Sequence, residues 1–333
     1  MSNGLEITSR FRGTLLGAAT ADALALPHLH YSRAFLRSLA SPMAREYVSH
    51  PSGRHPAGQY SSLTQEMMAV VASILDEGEV SGEAIASHLT PLWRDQVLIE
   101  RDAGSVAPME RLVSRSVSWQ TAANEVGHAE AAPACRVVPV ALWRPTDVEA
   151  LQRGVVDAVT ITHRDPRVLA AAAAMAAAIA VNSRTEELIL GPFLDRVAGA
   201  AERFDAVVAE AILDFPRTLS MSENRAIRHF ESLCPDDRYP PSDEGLGSYC
   251  VPAALLAVYY FLRSPYRFEK TVESCLRLGG HMHVPAFFAG AISGALNGED
   301  GLPDPLLQGL VGWREIAEAA DTLERAWLLR GAA

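Results

Sequence analysis

Apolar side chains recur along most of this chain at intervals of three and four residues, the spacing of one face of an amphipathic helix. The clearest segment begins at Thr64, a residue type that caps helices, and ends at Gly78, a residue type that stops them. The apolar positions between the two fall on one broad face: Met67, Met68, Val71, Ile74 and Leu75. The pattern predicts a helix that packs this face against the core.

A second helix is predicted after Asp165 and Pro166, which suit the cap and the first position of a helix. Residues 168–181 form an apolar run of 14 residues, mostly alanine. Alanine has the highest helix propensity and little bulk, so neighbouring elements can approach this helix closely from several sides. We therefore expect it at the centre of the fold. The run is shorter than the roughly 20 apolar residues that a membrane-spanning helix needs.

A third helix is predicted from Pro285, where Ala286, Gly290 and Gly294 recur every four residues. Such a row of small residues would let another helix backbone come close. Strand signals are weak, because no run of alternating β-branched residues is bounded by hairpin turns. The pattern thus predicts an all-α protein.

Segments that carry proline and glycine punctuate the helical pattern and predict surface loops at residues 41–59, 234–247 and 297–305. No internal repeat and no low-complexity linker interrupts the chain. We therefore expect a single domain.

Length and charge narrow the function classes. A chain of 333 residues can bury a large core, and its formal net charge of −11 argues against binding a nucleic-acid backbone or an anionic membrane. The first ten residues lack a basic segment followed by an apolar core, so no secretion signal is expected and the cytoplasm is the expected location. The cysteines form no C-x-x-C pair, which favours neither a disulfide framework nor a cysteine zinc site: Cys135, Cys234, Cys250 and Cys275.

Two segments near the N-terminus carry a recognisable order of small and acidic residues. Residues 12–17 read RGTLLG, and residues 21–27 read ADALALP with Asp22 as their acidic residue. Together they resemble the opening of the ADP-ribosylglycohydrolase family, also described as dinitrogenase reductase-activating glycohydrolase-like, in which G-x-L-x-G precedes G-D-A-L-G-x-P. Two of that family's glycines are Ala21 and Ala25 here.

Five further segments match the same family in the same order. They are GQYSSLTQ at 58–65 for G-Q-x-T-D-D-T-Q, CRVVP at 135–139 for M-R-x-x-P, THRDP at 162–166 for T-H-x-D-P, GLGSY at 245–249 for a glycine-rich loop, and LGGHMHVP at 278–285 for the frame of a late D-x-D-T. The resemblance implies one compact helical bundle, an ADP-ribosylglycohydrolase-like domain over residues 10–330.

The resemblance also identifies a changed metal site. In the family, T-D-D-T and D-x-D-T supply oxygen ligands to paired magnesium ions. Here residues 61–63 read SSL, His281 and His283 stand where the late aspartates should be, and Thr64 alone remains of the ligand set. We expect no family-type magnesium chemistry and no metal ligands among these residues.

The ligand pocket is changed in one place and retained in another. The family's N-G-x-x-M-R turn, which approaches a diphosphate, reads AAPACR at 131–136, and its proline removes an N–H donor. Arg136 remains as a predicted substrate-binding residue. The glycine loop and the T-H segment are the other predicted substrate contacts, beside Thr64: His163, Gly245, Gly247, Ser248 and Tyr249. The alternatives are a plain loop with a helix cap and a buried, hydrogen-bonded histidine.

Four histidines form two H-x-H pairs that we predict to meet at the cleft, His28 with His30 and His281 with His283. In an irregular loop, residues i and i+2 can present side chains to one point, and imidazoles favour zinc, copper, nickel or iron(II) over magnesium. A metal-free polar cleft, or histidines at the surface, is the alternative interpretation.

The predicted reaction class comes from the resemblance, which implies cleavage of an N- or O-glycosidic bond in an ADP-ribose, NAD-derived or related riboside. Such cleavage needs a carboxylate to stabilise an oxocarbenium-like state and a group that transfers protons. The predicted catalytic residues are the carboxylates Asp22 and Glu66 and the imidazoles His281 and His283. The alternative for Glu66 is an acidic residue in the first turn of a helix, where it favours the helix dipole. Glu244 is a further candidate acid, and its alternative is a charge that faces solvent.

Two functions of different class remain open. In the first, the chain is a magnesium-independent hydrolase with an altered active site. In the second, it is a pseudoenzyme that binds an ADP-ribose-like ligand or a protein partner without turnover. In both, the expected ligand is a small nucleotide or riboside, and neither nucleic acid nor membrane is an expected partner.

Overall fold

A computed structural model describes residues 2–234, 239 and 244–330, and this part of the chain consists of helices joined by loops and contains no strand. Short 3-10 turns join several helices. The prediction of an all-α protein is confirmed. The α-helices of the described residues are α1 (Ser2–Ala25), α2 (Arg33–Ser38), α3 (Ser62–Glu77), α4 (Gly82–Arg94), α5 (Ala103–Val113), α6 (Val137–Trp143), α7 (Val148–Val159), α8 (Pro166–Asn182), α9 (Leu190–Glu202), α10 (Ala206–Leu213), α11 (Phe215–Leu219), α12 (Glu223–Glu231), α13 (Cys250–Arg263), α14 (Phe268–Leu276), α15 (His283–Asn297), α16 (Asp304–Gly309) and α17 (Trp313–Arg330).

The predicted close approach at the late glycines is confirmed, and its partner is α1. A Cβ atom built on Gly294 would lie 1.8 Å from the carbonyl oxygen of Gly13, and one built on Gly290 would lie 2.3 Å from that of Gly17. No side chain fits between the two backbones. The row of small residues therefore lets α1 and α15 pack as the closest helix pair of the core.

The alanine-rich helix α8 lies at the centre, as predicted. Asp165 caps it by accepting a hydrogen bond from the backbone N–H of Arg167, and Pro166 takes the first helical position. Nearly all of its side chains are buried, because α6, α7, α9, α13 and α15 pack around it. Small alanine side chains permit this crowding.

Helix α3 begins earlier than predicted. The cap is Ser61, whose hydroxyl accepts from the N–H of Leu63, so the prediction that Thr64 caps the helix was wrong. Thr64 lies in the first turn instead, where its hydroxyl donates to Asp22. The stop at Gly78 is confirmed, with a left-handed φ of 71°.

The third predicted helix begins at His283, before Pro285. Residues 41–59 form a loop, as predicted, whereas the loop expected at 297–305 contains a 3-10 turn at Glu299–Gly301 and the start of α16. Most of the predicted loop at 234–247 lies outside the described residues. Among the described helices, none is both long and apolar enough to cross a bilayer.

Candidate active site

A cavity of about 390 Å³ lies where the loop after α1, the start of α5, the turn before α6 and the loops before α13 and α15 meet. Its wall is polar on two sides. Three imidazoles and three carboxylates face it: His30, His281, His283, Glu100, Asp102 and Glu130.

Three irregular segments run side by side at this cavity and bring His30 next to His281. The N–H of His30 donates to the carbonyl of Gly280 over 3.4 Å, and the N–H of His281 donates to the carbonyl of Leu246 over 2.8 Å. Gly280 has a φ of 61°, and a Cβ on it would lie 2.3 Å from the Leu246 oxygen. The glycine before the H-x-H pair is therefore required for the close approach.

Three of the four predicted imidazoles converge. The ring centroids of His30 and His281 lie 5.4 Å apart, and those of His281 and His283 lie 6.0 Å apart. His28 does not line the cavity, so the prediction was wrong for this residue. It ends a 3-10 turn, whereas His30 adopts a left-handed backbone with φ of 66° and lines the cavity.

Burial keeps two of these imidazoles neutral. Burial and the nearby His30 lower the pKa of His281 below its usual value. Burial, followed by the charges of His281 and His30, lowers the pKa of His283 to about 3. His283 is only 7 % exposed, and its Nδ1 is buried without a hydrogen-bond partner among the described residues. A neutral imidazole can accept a hydrogen bond, but His283 cannot act as a general acid near pH 7.

Two carboxylates of the cavity wall share one buried histidine. Nε2 of His163 is hydrogen-bonded to Oε2 of Glu130 at 3.0 Å and lies 3.9 Å from Oδ2 of Asp102. Burial raises the pKa of Asp102 more than His163 lowers it. Burial also acts to raise the pKa of Glu130, but the hydrogen bond and charge of His163, together with hydrogen bonds from the backbone and Tyr239, outweigh it and lower that pKa. The pair therefore combines a carboxyl that tends to keep its proton with one that tends to stay ionised.

A buried hydrogen-bonded chain reaches His163 from the core. Nη1 of Arg136 donates to Oγ1 of Thr162 at 2.9 Å, and Oγ1 lies 2.9 Å from Nδ1 of His163. Thr162 accepts from the guanidinium, and its own proton is free to go to Nδ1. In that arrangement Nε2 of His163 is the nitrogen that donates to Glu130.

Arg136 and Glu66 form the inner end of this chain and do not line the cavity. Nε of Arg136 donates to Oε2 of Glu66 at 2.8 Å, and Nε1 of Trp93 donates to Oε1 of Glu66 at 3.2 Å. The Arg136 side chain is fully buried and that of Glu66 is 7 % exposed. The structure thus places these two predicted site residues in a core ion pair.

Asp22 also lies outside the cavity and is fully buried. Its carboxylate accepts from the N–H and the hydroxyl of Ser61 at 2.9 and 2.7 Å, and from the N–H and the hydroxyl of Thr64 at 3.3 and 2.7 Å. Burial raises its pKa despite these four donors, which act to lower it. The contacts attach the end of α1 to the first turn of α3.

The glycine loop contributes Gly247 and Ser248 to the cavity wall. Gly245 does not reach it, because a Cβ there would lie 2.4 Å from the backbone nitrogen of Gly280. Tyr249 is 2 % exposed and its ring lies 5.6 Å beneath the guanidinium of Arg167. Of this predicted set, the structure therefore brings only two residues to the cavity.

Two cavity residues have unusual backbones. His30 and Glu100 have φ values of 66° and 55°, a region that residues other than glycine rarely adopt. Their side chains face one another, with Nε2 of His30 3.8 Å from Oε2 of Glu100. Backbone strain of this kind costs about 1–3 kcal/mol per residue and tends to occur at functional sites.

The described residues contain no group of three or more histidine, cysteine, aspartate or glutamate side chains arranged to hold a metal ion. The rings of His30 and His281 meet edge to face at 87°, and those of His281 and His283 are tilted by 40°.

The family of this chain follows from its similarity to known proteins. The model of the ADP-ribosylglycohydrolase family matches residues 3–333. The chain belongs to the ADP-ribosylglycohydrolase family. The sequence resemblance that led to this family is thereby confirmed.

Two curated relatives of this family member match over nearly their full length. An uncharacterised protein of Archaeoglobus fulgidus is 26% identical over 316 residues, which cover 94% of this chain and 95% of that protein. ADP-ribosylhydrolase ARH3 of Gallus gallus is 24% identical, over 96% of this chain and 94% of its own. A solved structure described as an ADP-ribosylglycohydrolase-related protein complex is 19% identical and superimposes with a TM-score of 0.72, over 96% of this chain and 99% of its own. That solved structure has the same fold as this chain.

Sequence reasoning missed the cavity residues Glu100, Arg101, Asp102 and Glu130. One local signal was available for the segment of the first three. Asp102 precedes Ala103 and further small residues, and an aspartate in that position is typical of a helix start. Asp102 is indeed the N-cap residue of α5. For Glu130, no local pattern indicates that it would face Asp102.

Proposed function

We propose that this member of the ADP-ribosylglycohydrolase family hydrolyses a glycosidic bond of a ribose-containing nucleotide or nucleoside, and that it does so without paired magnesium ions. The observation that carries the proposal is the contact of Asp102 and Glu130 with one nitrogen of His163 at the cavity wall. Two carboxyl groups with opposite pKa shifts are the usual equipment for glycoside cleavage.

The donor set does not fit the magnesium site that the family implies. At the first position, Leu63 offers no oxygen from its side chain, and the hydroxyl of Ser61 donates to Asp22. At the second, His281 and His283 offer imidazole nitrogens, whereas magnesium prefers carboxylates and water. The proposed mechanism therefore uses no magnesium ion.

The cleavage step uses the two carboxyl groups in different protonation states. The bond between C1′ of the ribose and the leaving group breaks, and its electron pair goes to the leaving group. Asp102, whose pKa is raised by burial, donates a proton to that leaving group. Glu130, whose pKa is lowered through His163, stays ionised and stabilises the oxocarbenium-like ribose.

The second half of the reaction adds water to the ribose. A water molecule forms the new bond to C1′, and its proton goes to Glu130, from which it can return to Asp102. The sum is hydrolysis, with water split between ribose and leaving group. The neutral imidazoles of His281 and His283, which line the same cavity, can accept hydrogen bonds from ribose hydroxyls.

The test is turnover by protein stripped of metal with EDTA, assayed with NAD, ADP-ribose conjugates and nucleosides, with and without added magnesium or zinc. Mass spectrometry detects the products and calorimetry detects binding. We expect cleavage at a rate that magnesium does not change. Glu130→Gln should lower kcat by about 100-fold or more, since general acid–base groups typically contribute that much. Glu110→Gln, an exposed change on α5, is the matched control.

Each other outcome overturns part of the proposal. Turnover that requires magnesium would overturn the metal-independent mechanism. Binding of ADP-ribose without turnover of any substrate would identify a pseudoenzyme. Full activity of Glu130→Gln would remove the carboxylate pair from the mechanism.

A further inference from the structure

The charge around the cavity is unusual for a site that would bind a diphosphate. Three carboxyl groups line the wall, at Glu100, Asp102 and Glu130, and burial favours the protonated form of Asp102 by raising its pKa. Among the described residues, Arg101 is the one arginine or lysine of the lining. The guanidinium of Arg101 lies 5.7 Å from the centroid of the Trp93 ring, so this cation already has an aromatic partner. The lowered pKa values of His281 and His283 leave both imidazoles uncharged at neutral pH.

The backbone positions that bind phosphate elsewhere are poorly suited to an anion here. At the N-terminus of α5, an anion would meet the carboxyl group of Asp102, the N-cap residue, which accepts no hydrogen bond from the backbone N–H groups of the first turn. The N–H of Cys250, at the start of α13, donates to the carbonyl of Ala129. In the turn before α6, Pro133 has no N–H, and the N–H of Ala131 donates to the carbonyl of Ser248. A diphosphate would therefore meet carboxyl groups here, and the N–H groups of Cys250 and Ala131 are already engaged.

Building on the proposed glycohydrolase activity, we propose that the substrate is a riboside whose base carries a formal positive charge and which has no diphosphate, such as a pyridinium N-riboside. Such a ligand brings its positive charge to Glu100 and Glu130 on the cavity wall. Its ribose hydroxyls can meet His283 and Ser248, which line the same cavity.

The chemistry of a cationic base fits these residues. When its bond to C1′ breaks, the electron pair goes to the ring nitrogen and the base leaves neutral, so no proton has to be supplied to it. Water then adds to C1′ and loses a proton to Glu130, which releases it to solvent. The balance is one cationic riboside and one water giving ribose, neutral base and one proton. Asp102 therefore matters less for this substrate than for a neutral nucleoside.

The experiment compares four probes on the full chain: nicotinamide riboside as the cationic riboside, inosine as the neutral one, and NAD and ADP-ribose as carriers of a diphosphate. We expect the highest kcat/KM for nicotinamide riboside, by about tenfold over inosine, the effect of one close charge pair. Raising NaCl from about 0.05 to about 0.5 M should increase KM for the cation and not for inosine, because salt screens the attraction.

Two variants separate the charge effect from the chemistry. Glu100→Gln, at a half-exposed position, should raise KM for nicotinamide riboside by about two- to fivefold and raise KM for inosine by less. Asp102→Asn should lower kcat for inosine by about 100-fold, but that for nicotinamide riboside by less than about tenfold. Glu110→Gln is again the control, and thermal unfolding checks that each variant is folded.

The outcomes distinguish this inference from the proposed function. Faster cleavage of inosine or NAD than of nicotinamide riboside would overturn the charge preference and leave the glycohydrolase activity standing. If no probe is cleaved, the proposed function fails, and calorimetry still decides the ligand class. If nicotinamide riboside binds more tightly than inosine and salt weakens its binding, the preference for a cationic riboside is supported. Equal binding of the two ligands, or no binding, would overturn that preference.

Discussion

Nε2 of His163 lies 3.0 Å from Oε2 of Glu130, and this contact joins the buried core to the cavity wall. Behind it, the hydrogen bonds run through Thr162 and Arg136 to Glu66. In the proposed mechanism His163 is a positioning residue, since it would act on the reaction through a carboxylate and does not itself line the cavity.

Replacing this histidine should impair activity through the carboxylate that it holds. We expect His163→Phe to lower kcat/KM by about 10- to 100-fold, the usual effect of losing an orienting partner. Without the hydrogen bond from His163, burial raises the pKa of Glu130, so the acidic limb of the pH–rate profile should move to higher pH.

His163→Gln, which can still donate one hydrogen bond, should recover part of the activity and part of the original pH profile. A purely structural role would lower activity without moving the acidic limb. An unmoved limb in His163→Phe would therefore contradict the role given to this contact.

The ion pair of Glu66 with Arg136 should contribute mainly to stability. Glu66→Ala leaves a buried guanidinium without its carboxylate, and we expect the free energy of unfolding to fall by about 3–5 kcal/mol, measured by urea denaturation. The double variant Glu66→Met with Arg136→Met should recover much of this loss, because no charge remains buried.

The sequence alone made Glu66 a candidate catalytic carboxylate, and the same variants distinguish the two roles. If Glu66→Gln keeps its stability but loses all turnover, the catalytic interpretation holds. Activity that falls only in proportion to the folded fraction would leave Glu66 a structural residue.

The neutral histidines should make the fold sensitive to acid. His283 has a pKa of about 3 in the fold and 6.5 when exposed, so between these values the unfolded chain binds a proton that the folded chain does not. Stability contributed by this site is therefore lost as the pH falls from about 6.5 toward about 3. His281 and His30 face His283 and add to the effect, while Glu100 opposes it at His281.

Replacing His283 should make the free energy of unfolding depend less on pH. Relative to the unchanged protein, His283→Gln should retain on the order of 3–5 kcal/mol more of its neutral-pH stability at pH near 3. His88→Gln, which changes a partly exposed histidine paired with Asp76, is the control. Parallel curves for the unchanged protein and His283→Gln would mean that His283 is protonated in the fold.

The contact between α1 and α15 predicts opposite effects at two helical glycines. Gly294→Ala would place a methyl group against the backbone of Gly13, and we expect a loss of about 1–3 kcal/mol or more. Gly199→Ala, on α9 with no atom within 4 Å of the new methyl group, should stabilise by about 0.5–1 kcal/mol. Thermal unfolding measures both, and equal effects would contradict the packing of the two helices.

The sequence by itself determined the helical class, because that information is local. The cap at Asp165, the proline after it and the alanine run specify α8 through their own backbone preferences, and the stop at Gly78 needs only a left-handed φ. The family motifs likewise identified the family, since they are matched in order along the chain.

Only the tertiary structure decided which side chains meet at the cavity. Glu130 and Asp102 come from different segments and meet because both approach His163, and no periodicity encodes that contact. Asp22 and Glu66 have the residue type of catalytic acids, yet four donors around the first and a guanidinium beside the second tie them to the core. Residue type sets what a side chain can do, but its burial and its partners, which come from contacts distant in sequence, set its charge and where it points.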